Sequence, residues 1–174
     1  MTTVTLGTPE VEAAVARRRA QGLDRRDEVW GERYFMAPHA TTAHSELCLT
    51  LMSALRLLAK PLGLVALVEH NLGTGPKRYV VPDGAVVQTR HPGAYQETAL
   101  LVVEVLSPGD DTPFKVATVY GALGVEEVLL ADPVKRTLQL LSHGQDGFSE
   151  VDRSEVLGIG VADLFASIDW PAAD

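Results

Sequence analysis

Several features that define other classes of protein are missing from this chain of 174 residues. Its single cysteine, Cys48, excludes an internal disulfide bond and a cysteine-rich zinc site. No stretch reaches the roughly 20 consecutive apolar residues that a membrane-spanning helix needs. The N-terminus has neither the basic start nor the apolar run of a signal peptide. We therefore expect a cytoplasmic protein that does not associate with a membrane.

Positive charge is also scarce. The chain has 15 Lys and Arg against 23 Asp and Glu, which gives a net charge of −8 at pH 7. Most of the surplus lies at the C-terminal end, because residues 143–174 carry one basic and seven acidic side chains. Net negative charge disfavours loose binding to nucleic acid or anionic membranes over the whole surface. It does not exclude a local site where a metal ion screens carboxylates from a phosphate.

Apolar residues make up 46% of the chain, which is enough to bury the core of one compact domain. We expect a flexible N-terminus over residues 1–8 and a single domain over residues 9–174. The periodicity predicts an N-terminal helix from Pro9 to Leu23. A hairpin follows in DEVWGERYFMAP, and Thr41 or Thr42 begins a long helix that ends at about Lys60.

Strands dominate the rest of the sequence. A helix over 112–123 lies between two of them, a C-terminal β-hairpin follows, and a short helix over 161–167 comes last. This order predicts a mixed α/β or α+β fold with a central mixed sheet. The predicted strands of that sheet are 64–70, 79–87, 99–107 and 126–131.

Two carboxylates interrupt apolar strands. Glu104 lies within the run from Ala99 to Leu106, which is typical of a strand covered on both faces. Asp83 interrupts the strand 79–87, where Pro82 removes a ladder donor and Gly84 permits a bulge. An ionised carboxylate is costly in such surroundings unless it is paired, hydrogen-bonded or bound to a cation.

Two interpretations of these acids are open. If Asp83 and Glu104 lie on neighbouring strands and point the same way, a divalent cation relieves their repulsion. Oxygen ligands without other donors suit Mg²⁺ or Mn²⁺. In the second interpretation both acids are structural, and each is tied to an Arg, a Lys or backbone N–H groups.

Lys115, His44 and Glu46 lie in first turns of predicted helices. A lysine there opposes the helix dipole, and a broken local rule points to function. The other interpretation of Lys115 is a solvent-facing side chain offset by Asp111. For His44 and Glu46 we favour a solvent-facing turn, and the alternative is an accessory role at the site, with Glu46 as an outer metal ligand.

Three ordered motifs, VPDGAVV, LLVVEVLSPGDDTPFK and YGALGVEEVLLADP, resemble the Uma-two family of putative restriction endonucleases in the PD-(D/E)XK nuclease superfamily. The resemblance covers roughly Gly22 to Pro171. It implies a restriction-endonuclease-like αβββαβ core. It also implies a metal-dependent endonuclease that hydrolyses phosphodiester bonds, with DNA as the expected substrate.

The resemblance also assigns roles to residues. Asp83 matches the Asp of the PD motif, and Glu104 matches the second acid. With the backbone carbonyl of Val105 they would hold Mg²⁺ or Mn²⁺. Lys115 is the candidate catalytic lysine. The family relationship further suggests a homodimer, and the few basic residues predict weak nucleic-acid binding by one copy alone.

The sequence departs from the family pattern at the lysine. The resemblance leads us to expect a lysine four residues before the tyrosine of YxxxG, whereas Lys115 lies five residues before Tyr120. One residue rotates a position on an α-helix by about 100°, so Lys115 is predicted on the flank of the apolar face. The alternative is therefore a catalytically weak or inactive nuclease-fold protein that serves as a binding or assembly module. A small-molecule hydrolase would need a deeper pocket and more ligands than the sequence offers.

Overall fold

The computed structural model describes residues 2–37, 39–107 and 111–172. None of the helices in these ranges combines the length and apolar character that crossing a membrane requires. Two helices continue in other forms. The helix Thr42–Ala59 ends in a 3-10 turn, Lys60–Leu62. The short helix Thr112–Phe114 continues as a π-helix, Lys115–Tyr120, and then as a 3-10 turn, Gly121–Leu123. In chain order the helices and strands are β1 (Thr2–Thr5), α1 (Pro9–Ala20), β2 (Glu28–Trp30), β3 (Arg33–Met36), α2 (Thr42–Ala59), β4 (Val65–Val68), β5 (Asn71–Gly75), β6 (Arg78–Val80), β7 (Gly84–Val87), β8 (Tyr95–Gln96), β9 (Leu101–Val105), α3 (Thr112–Phe114), β10 (Glu127–Asp132), β11 (Thr137–Gly144), β12 (Gly147–Val151), β13 (Arg153–Ser154), β14 (Ile159–Gly160) and α4 (Val161–Ser167).

A six-stranded mixed sheet in the order β12-β11-β10-β9-β7-β4 forms the centre of the fold. β9 and β10 are parallel, because the helical segment that begins with α3 crosses over between them. The other neighbours pair antiparallel, and β11 and β12 form the predicted C-terminal hairpin. The order α2-β4-β7-β9-α3-β10 is the αβββαβ core, so the predicted fold class is confirmed.

Helices cover both faces of this sheet. Thr41 caps α2 by accepting the His44 N–H at 3.2 Å, and the α2 stripe of Leu47, Leu51 and Leu55 is buried against one face. The other face packs against the π-helix, where Val119 and Tyr120 are buried. All five residues of β9 are buried, so Glu104 lies in a strand covered on both faces, as the sequence predicts.

A second six-stranded sheet, β1-β3-β2-β6-β5-β8, is formed mainly by the N-terminal half of the chain. The predicted single strand 79–87 is two strands in the structure, because β6 belongs to this second sheet and β7 belongs to the central one. Pro82 lies between the two strands, where its missing N–H costs no ladder bond. Asp83 therefore lies in the connection between two sheets and not within a strand.

The N-terminal residues differ from the expectation of a flexible segment over residues 1–8. Thr2–Thr5 form β1, which pairs antiparallel with β3. These four residues are Thr, Thr, Val and Thr, and β-branched side chains favour an extended strand.

Gly84 has a different role from the predicted bulge. It begins β7 and pairs in register with Val68 on one side and Val103 on the other. A Cβ atom at this position would lie 2.1 Å from the sulfur of Met52 on α2. The glycine therefore allows α2 to approach the sheet closely, beside Asp83.

Candidate active site

A small cavity of about 70 Å³ lies where the connection between β6 and β7 meets the carboxyl end of β9 and the start of α3. Both sheets, α2 and α3 contribute residues to it. Its lining contains four carboxylates: Glu28, Asp83, Glu104 and Asp111. Two basic side chains, Arg26 and Lys115, and two histidines, His39 and His44, line the same cavity.

Asp83 is buried and engaged through both carboxylate oxygens. The Val105 N–H donates to Oδ2 at 2.8 Å, which ties the Val105 peptide at the end of β9 to the site. His44 donates from Nε2 to Oδ1 at 3.0 Å, and the guanidinium of Arg26 donates to the same oxygen. Burial alone would raise the pKa of Asp83, but His44, the Val105 N–H and Arg26 together hold that pKa below its usual range. Asp83 is therefore an anion in the folded protein.

Glu104 lies on the face of β9 that packs against the π-helix. The Lys115 ammonium lies 2.5 Å from its Oε1, and the Tyr120 hydroxyl donates to the same oxygen. Burial raises the pKa of Glu104 to about 8, and the negative charges of Asp83 and Glu28 add to this, whereas Lys115 opposes it. Asp83 and Glu104 line the same cavity.

Lys115 is buried between two carboxylates and does not face solvent. Besides Glu104, its Nζ donates to Oε1 of Glu28 at 3.2 Å. Burial would lower the pKa of Lys115, but the charges of Glu104 and Glu28 outweigh it and raise that pKa well above its usual value. Lys115 therefore remains charged inside the protein.

The π-helix explains why the predicted flank position of Lys115 is wrong. In an α-helix, residues five apart are separated by about 140° around the axis, so Lys115 and Tyr120 would diverge. The Lys115–Tyr120 segment is instead wound as a π-helix, whose i→i+5 hydrogen bonds absorb one additional residue. Both side chains consequently reach the same oxygen of Glu104.

Glu28 is a site residue that the sequence reasoning missed. It is buried on β2, and its Oε1 accepts the Val81 N–H at 2.8 Å in addition to Lys115. Burial raises the pKa of Glu28. A sequence signal existed, because Glu28 precedes Val29 and Trp30 in the predicted hairpin, just as Glu104 interrupts an apolar strand. Arg26 and Tyr120 carry no comparable signal, since an arginine before a hairpin and a tyrosine on an apolar helix face are ordinary.

Asp27 anchors the start of β2 between the two site residues Arg26 and Glu28. Its fully buried carboxylate accepts from the Arg18 guanidinium at 2.9 Å, the Tyr34 hydroxyl at 2.8 Å and the Ala37 N–H at 2.9 Å. Asp27 is not among the residues that line the cavity. Its hydrogen bonds fix the backbone that presents Arg26 and Glu28 to the cavity.

His44 and Glu46 differ in position. His44 is buried, and besides Asp83 it has Ser107 Oγ 3.4 Å from its Nδ1. The solvent-facing interpretation is therefore wrong for His44, which lies in the site. Glu46 is exposed on α2 and does not line the cavity, so the structure places it outside the group of converging side chains.

The cavity has unpartnered oxygen atoms that a divalent cation could use. Within residues 2–37, 39–107 and 111–172, Oε2 of Glu28 and both carboxylate oxygens of Asp111 are buried without a hydrogen-bond partner. Four carboxylates line the cavity with two fixed cations, which leaves a surplus of two negative charges when all four acids are ionised and His39 and His44 are neutral. Hard oxygen donors with such a surplus suit Mg²⁺ or Mn²⁺. The donor set fits a divalent cation.

The arrangement is not yet that of a coordination shell. Among the described residues, no three His, Cys, Asp or Glu side chains already surround one point as metal ligands. Arg26 and Lys115 occupy carboxylate oxygens that a cation would use.

Comparisons with known proteins agree with this geometry. The family model Uma2, described as a putative restriction endonuclease, matches residues 18–162, and it confirms the resemblance of the three motifs. No curated protein matches the chain. A crystal structure described as a putative nuclease belonging to DUF820, from Anabaena variabilis, has a TM-score of 0.65 and 18% identity over 81% of this chain and 90% of that chain. At that identity the similarity establishes a shared fold. Because the family model covers well over half of the sequence, this chain belongs to the Uma2 family of putative restriction endonucleases.

Proposed function

We propose that this protein is a divalent-metal-dependent endonuclease that hydrolyses phosphodiester bonds in DNA. The observation that carries the proposal is the meeting of Asp83, Glu104 and Lys115 in one buried cavity. A perturbed group beside a specific charge partner in a cleft is typical of a functional site. Membership of a restriction-endonuclease family and a nuclease-like fold support the same reaction class.

Asp83, Glu104 and the backbone carbonyl of Val105 are the residues that would hold Mg²⁺ or Mn²⁺. Such a cation, when bound, supplies a Lewis acid that stabilises charge on the phosphoryl group and lowers the pKa of a bound water. The hydrogen bond from Val105 N–H to Asp83 Oδ2 fixes the peptide next to the side-chain ligand. Tyr120 fixes Glu104 in the same way, by donating to its Oε1.

Lys115 supplies fixed positive charge for the reaction. An ammonium group has three N–H donors, and Glu28 and Glu104 account for two of them among the described contacts. The third can donate to a phosphoryl oxygen as negative charge develops there in the transition state. Glu28 thus acts as a positioning residue, because it holds the ammonium through a second ion pair besides that with Glu104.

The size of the cavity favours a polymeric substrate. At about 70 Å³ it has room for a cation and a few waters but not for a whole small-molecule substrate. A phosphodiester backbone needs to present only one phosphate to such a cavity and lies otherwise on the surface. A net charge of −8 makes that surface contact weak in one copy. We therefore also propose that a homodimer supplies the additional contacts, which sedimentation equilibrium tests.

The activity test compares matched carboxylate variants on supercoiled DNA with Mg²⁺ or Mn²⁺. Glu104→Gln removes a proposed ligand, whereas Glu126→Gln removes an exposed carboxylate nearby in sequence. We expect at least a hundredfold slower cleavage from Glu104→Gln and an unchanged rate from Glu126→Gln, measured as nicked and linear product over time. Equal cleavage by wild type and Glu104→Gln would assign the activity to a contaminant.

The alternative, a non-catalytic binding or assembly module, is favoured by one observation. Arg26 and Lys115 already pair with Asp83 and Glu104, so the two acids have partners without a metal. That alternative predicts no cleavage and no selective binding of Mg²⁺ or Mn²⁺ to the folded protein. A metal titration separates the two proposals, because only the nuclease requires the cation.

A further inference from the structure

Asp83 Oδ1 has no free position for a cation. A carboxylate oxygen has two in-plane lone pairs, and Arg26 and His44 both donate to Oδ1. Oδ2 accepts the Val105 N–H at 2.8 Å and keeps one lone pair. A cation that uses Oδ1 must take the place of Arg26 or of His44, and one that uses Oδ2 alone still meets the positive charge of Arg26 on the same carboxylate.

Arg26 is the more easily displaced of the two. Its side chain is 26% exposed, whereas that of His44 is 9% exposed and belongs to the first turn of α2. Arg26 also has a second acidic neighbour, because its Nε lies 3.6 Å from Oε1 of Glu69. The Glu69 side chain is 55% exposed, so Arg26 can pair with it without burying a further charge.

The backbone holds Glu69 in this position. Its φ of 43° lies in the left-handed region, which a glutamate rarely occupies. The Glu69 N–H donates to the backbone carbonyl of Asp83 at 3.3 Å, so the two residues are joined through the main chain. Non-glycine residues with positive φ cost free energy and persist where surrounding contacts impose them. The strained residue thus keeps a second carboxylate beside the guanidinium that covers Asp83.

We propose that Arg26 competes with the divalent cation for Asp83 and transfers to Glu69 when the cation binds. The inference rests on the proposed metal site. Arg26 neutralises the buried Asp83 in the metal-free protein, and its displacement is part of the cost of loading the site. The Asp83–Arg26–Glu69 group consequently sets the cation concentration at which the site fills.

Isothermal titration with Mn²⁺ tests this competition directly, without reference to cleavage. Arg26→Gln removes the competitor, and we expect its dissociation constant for Mn²⁺ to fall at least fivefold. Arg25→Gln removes the adjacent, exposed arginine and should stay within twofold of wild type. Glu69→Gln removes the second partner, so Arg26 should remain on Asp83 and the Mn²⁺ affinity should weaken about threefold. Because pocket charge alone predicts opposite shifts in these two variants, the charge-conserving Arg26→Lys makes the distinction: a charge effect leaves its Mn²⁺ affinity unchanged, whereas loss of the planar fork on Asp83 predicts tighter binding.

Several outcomes would overturn the inference. Mn²⁺ binding to Arg26→Gln that is no tighter than wild type excludes competition, as does the absence of Mn²⁺ binding to wild type and variants alike. If Arg26→Gln does not fold, Arg26→Lys replaces it, because a point charge cannot engage Asp83 and Glu69 as a planar fork does. An intermediate gain in affinity is then expected, and no gain rejects the proposal. DNA cleavage measured on the same wild-type sample tests the nuclease proposal separately. If Arg26 competes with Mn²⁺ but the protein does not cleave DNA, only the nuclease proposal is rejected.

Discussion

The charge balance of the site depends on one lysine held between two buried glutamates. Lys115 contacts Oε1 of both Glu28 and Glu104, and Tyr120 donates to the latter. Transferring a charged side chain from water to the protein interior costs several kcal/mol. Ion pairing recovers that cost only when the remaining lone pairs of the carboxylates are also hydrogen-bonded. Oε2 of Glu28 has no partner among the described residues. The metal-free pocket therefore stores electrostatic strain that a proton or a cation can relieve.

This strain makes stability depend on pH. The pKa of Glu104 is raised from 4.5 to about 8 by burial, so the folded protein binds a proton more tightly than the unfolded chain between these values. The contribution of the raised Glu104 pKa to the free energy of unfolding is fully present below pH 4.5 and is lost as the pH rises to about 8. In chelator, we expect wild type to lose stability over this window relative to Glu104→Gln, by at most about 1.4 kcal/mol per pH unit. Urea unfolding at pH 5, 6.5 and 8 measures the difference, with Glu126→Gln as the control that follows wild type.

A flat difference between wild type and Glu104→Gln across these pH values would contradict the prediction. It would mean that Lys115 keeps Glu104 ionised throughout, and that burial is fully compensated by the ion pair. The sign of the trend, and not its size, decides between the two cases.

At the scale of elements, the π-helix is what makes the site possible. Lys115 and Tyr120 lie five residues apart and still meet at one oxygen of Glu104. Pattern reasoning assumes 3.6 residues per turn, so a segment with a different period yields the wrong face for every residue before the irregularity. The sequence contained the irregularity as one additional residue between Lys115 and Tyr120, but the spacing alone suggested that their contact was lost.

Deleting Ala117 tests this interpretation of the π-helix. Ala117 is exposed between Lys115 and Tyr120, and its removal leaves these two residues four apart, on the same face of an ordinary α-helix. We expect the deletion variant to keep its melting temperature within a few degrees and to retain the pairing of Lys115 with Glu104. Deleting exposed Ala122 instead displaces Leu123 and Val125 from the core, so we expect a loss of more than about 2 kcal/mol. Thermal melts of both variants make the comparison, and equal destabilisation by the two deletions would show that the π-helix is not a one-residue insertion.

The other elements show which patterns are informative. The helix α2 was predicted because an apolar stripe defines it, and the buried strand β9 because its residues are apolar except for Glu104. The strand 79–87 was predicted as one unit, since its residues are apolar on both sides of Pro82-Asp83-Gly84 and nothing local shows that β6 and β7 join different sheets. Pro82 and Gly84 indicated where the strand is interrupted, but they did not indicate that the chain passes there from one sheet to the other.

At the scale of the molecule, the site is assembled from segments that are distant in sequence. Arg26 and Glu28 come from the second sheet, whereas Asp83, Glu104 and Lys115 come from the central core. The core residues could be predicted from family motifs and from the cost of buried charge. Glu28 carried a signal as a carboxylate beside apolar residues, but the place of Arg26 and Glu28 in this cavity could not be predicted, because only the packing of one sheet against the other brings them next to Asp83 and Lys115.

Because both sheets contribute carboxylates to one cavity, cation binding should stabilise the whole fold. A ligand that binds only the folded state at about one hundred times its dissociation constant adds about 2.7 kcal/mol of stability. For a domain of this length that corresponds to a rise of roughly 5–10 °C in melting temperature. We expect Mn²⁺ to produce such a rise in wild type, and EDTA to reverse it. Asp83→Asn removes a proposed ligand and should abolish the rise, while Asp146→Asn, an exposed carboxylate outside this cavity, should preserve it. An equal rise in wild type and Asp83→Asn would place the bound cation elsewhere on the acidic surface, and no rise in wild type would leave the binding-module alternative as the better account of the pocket.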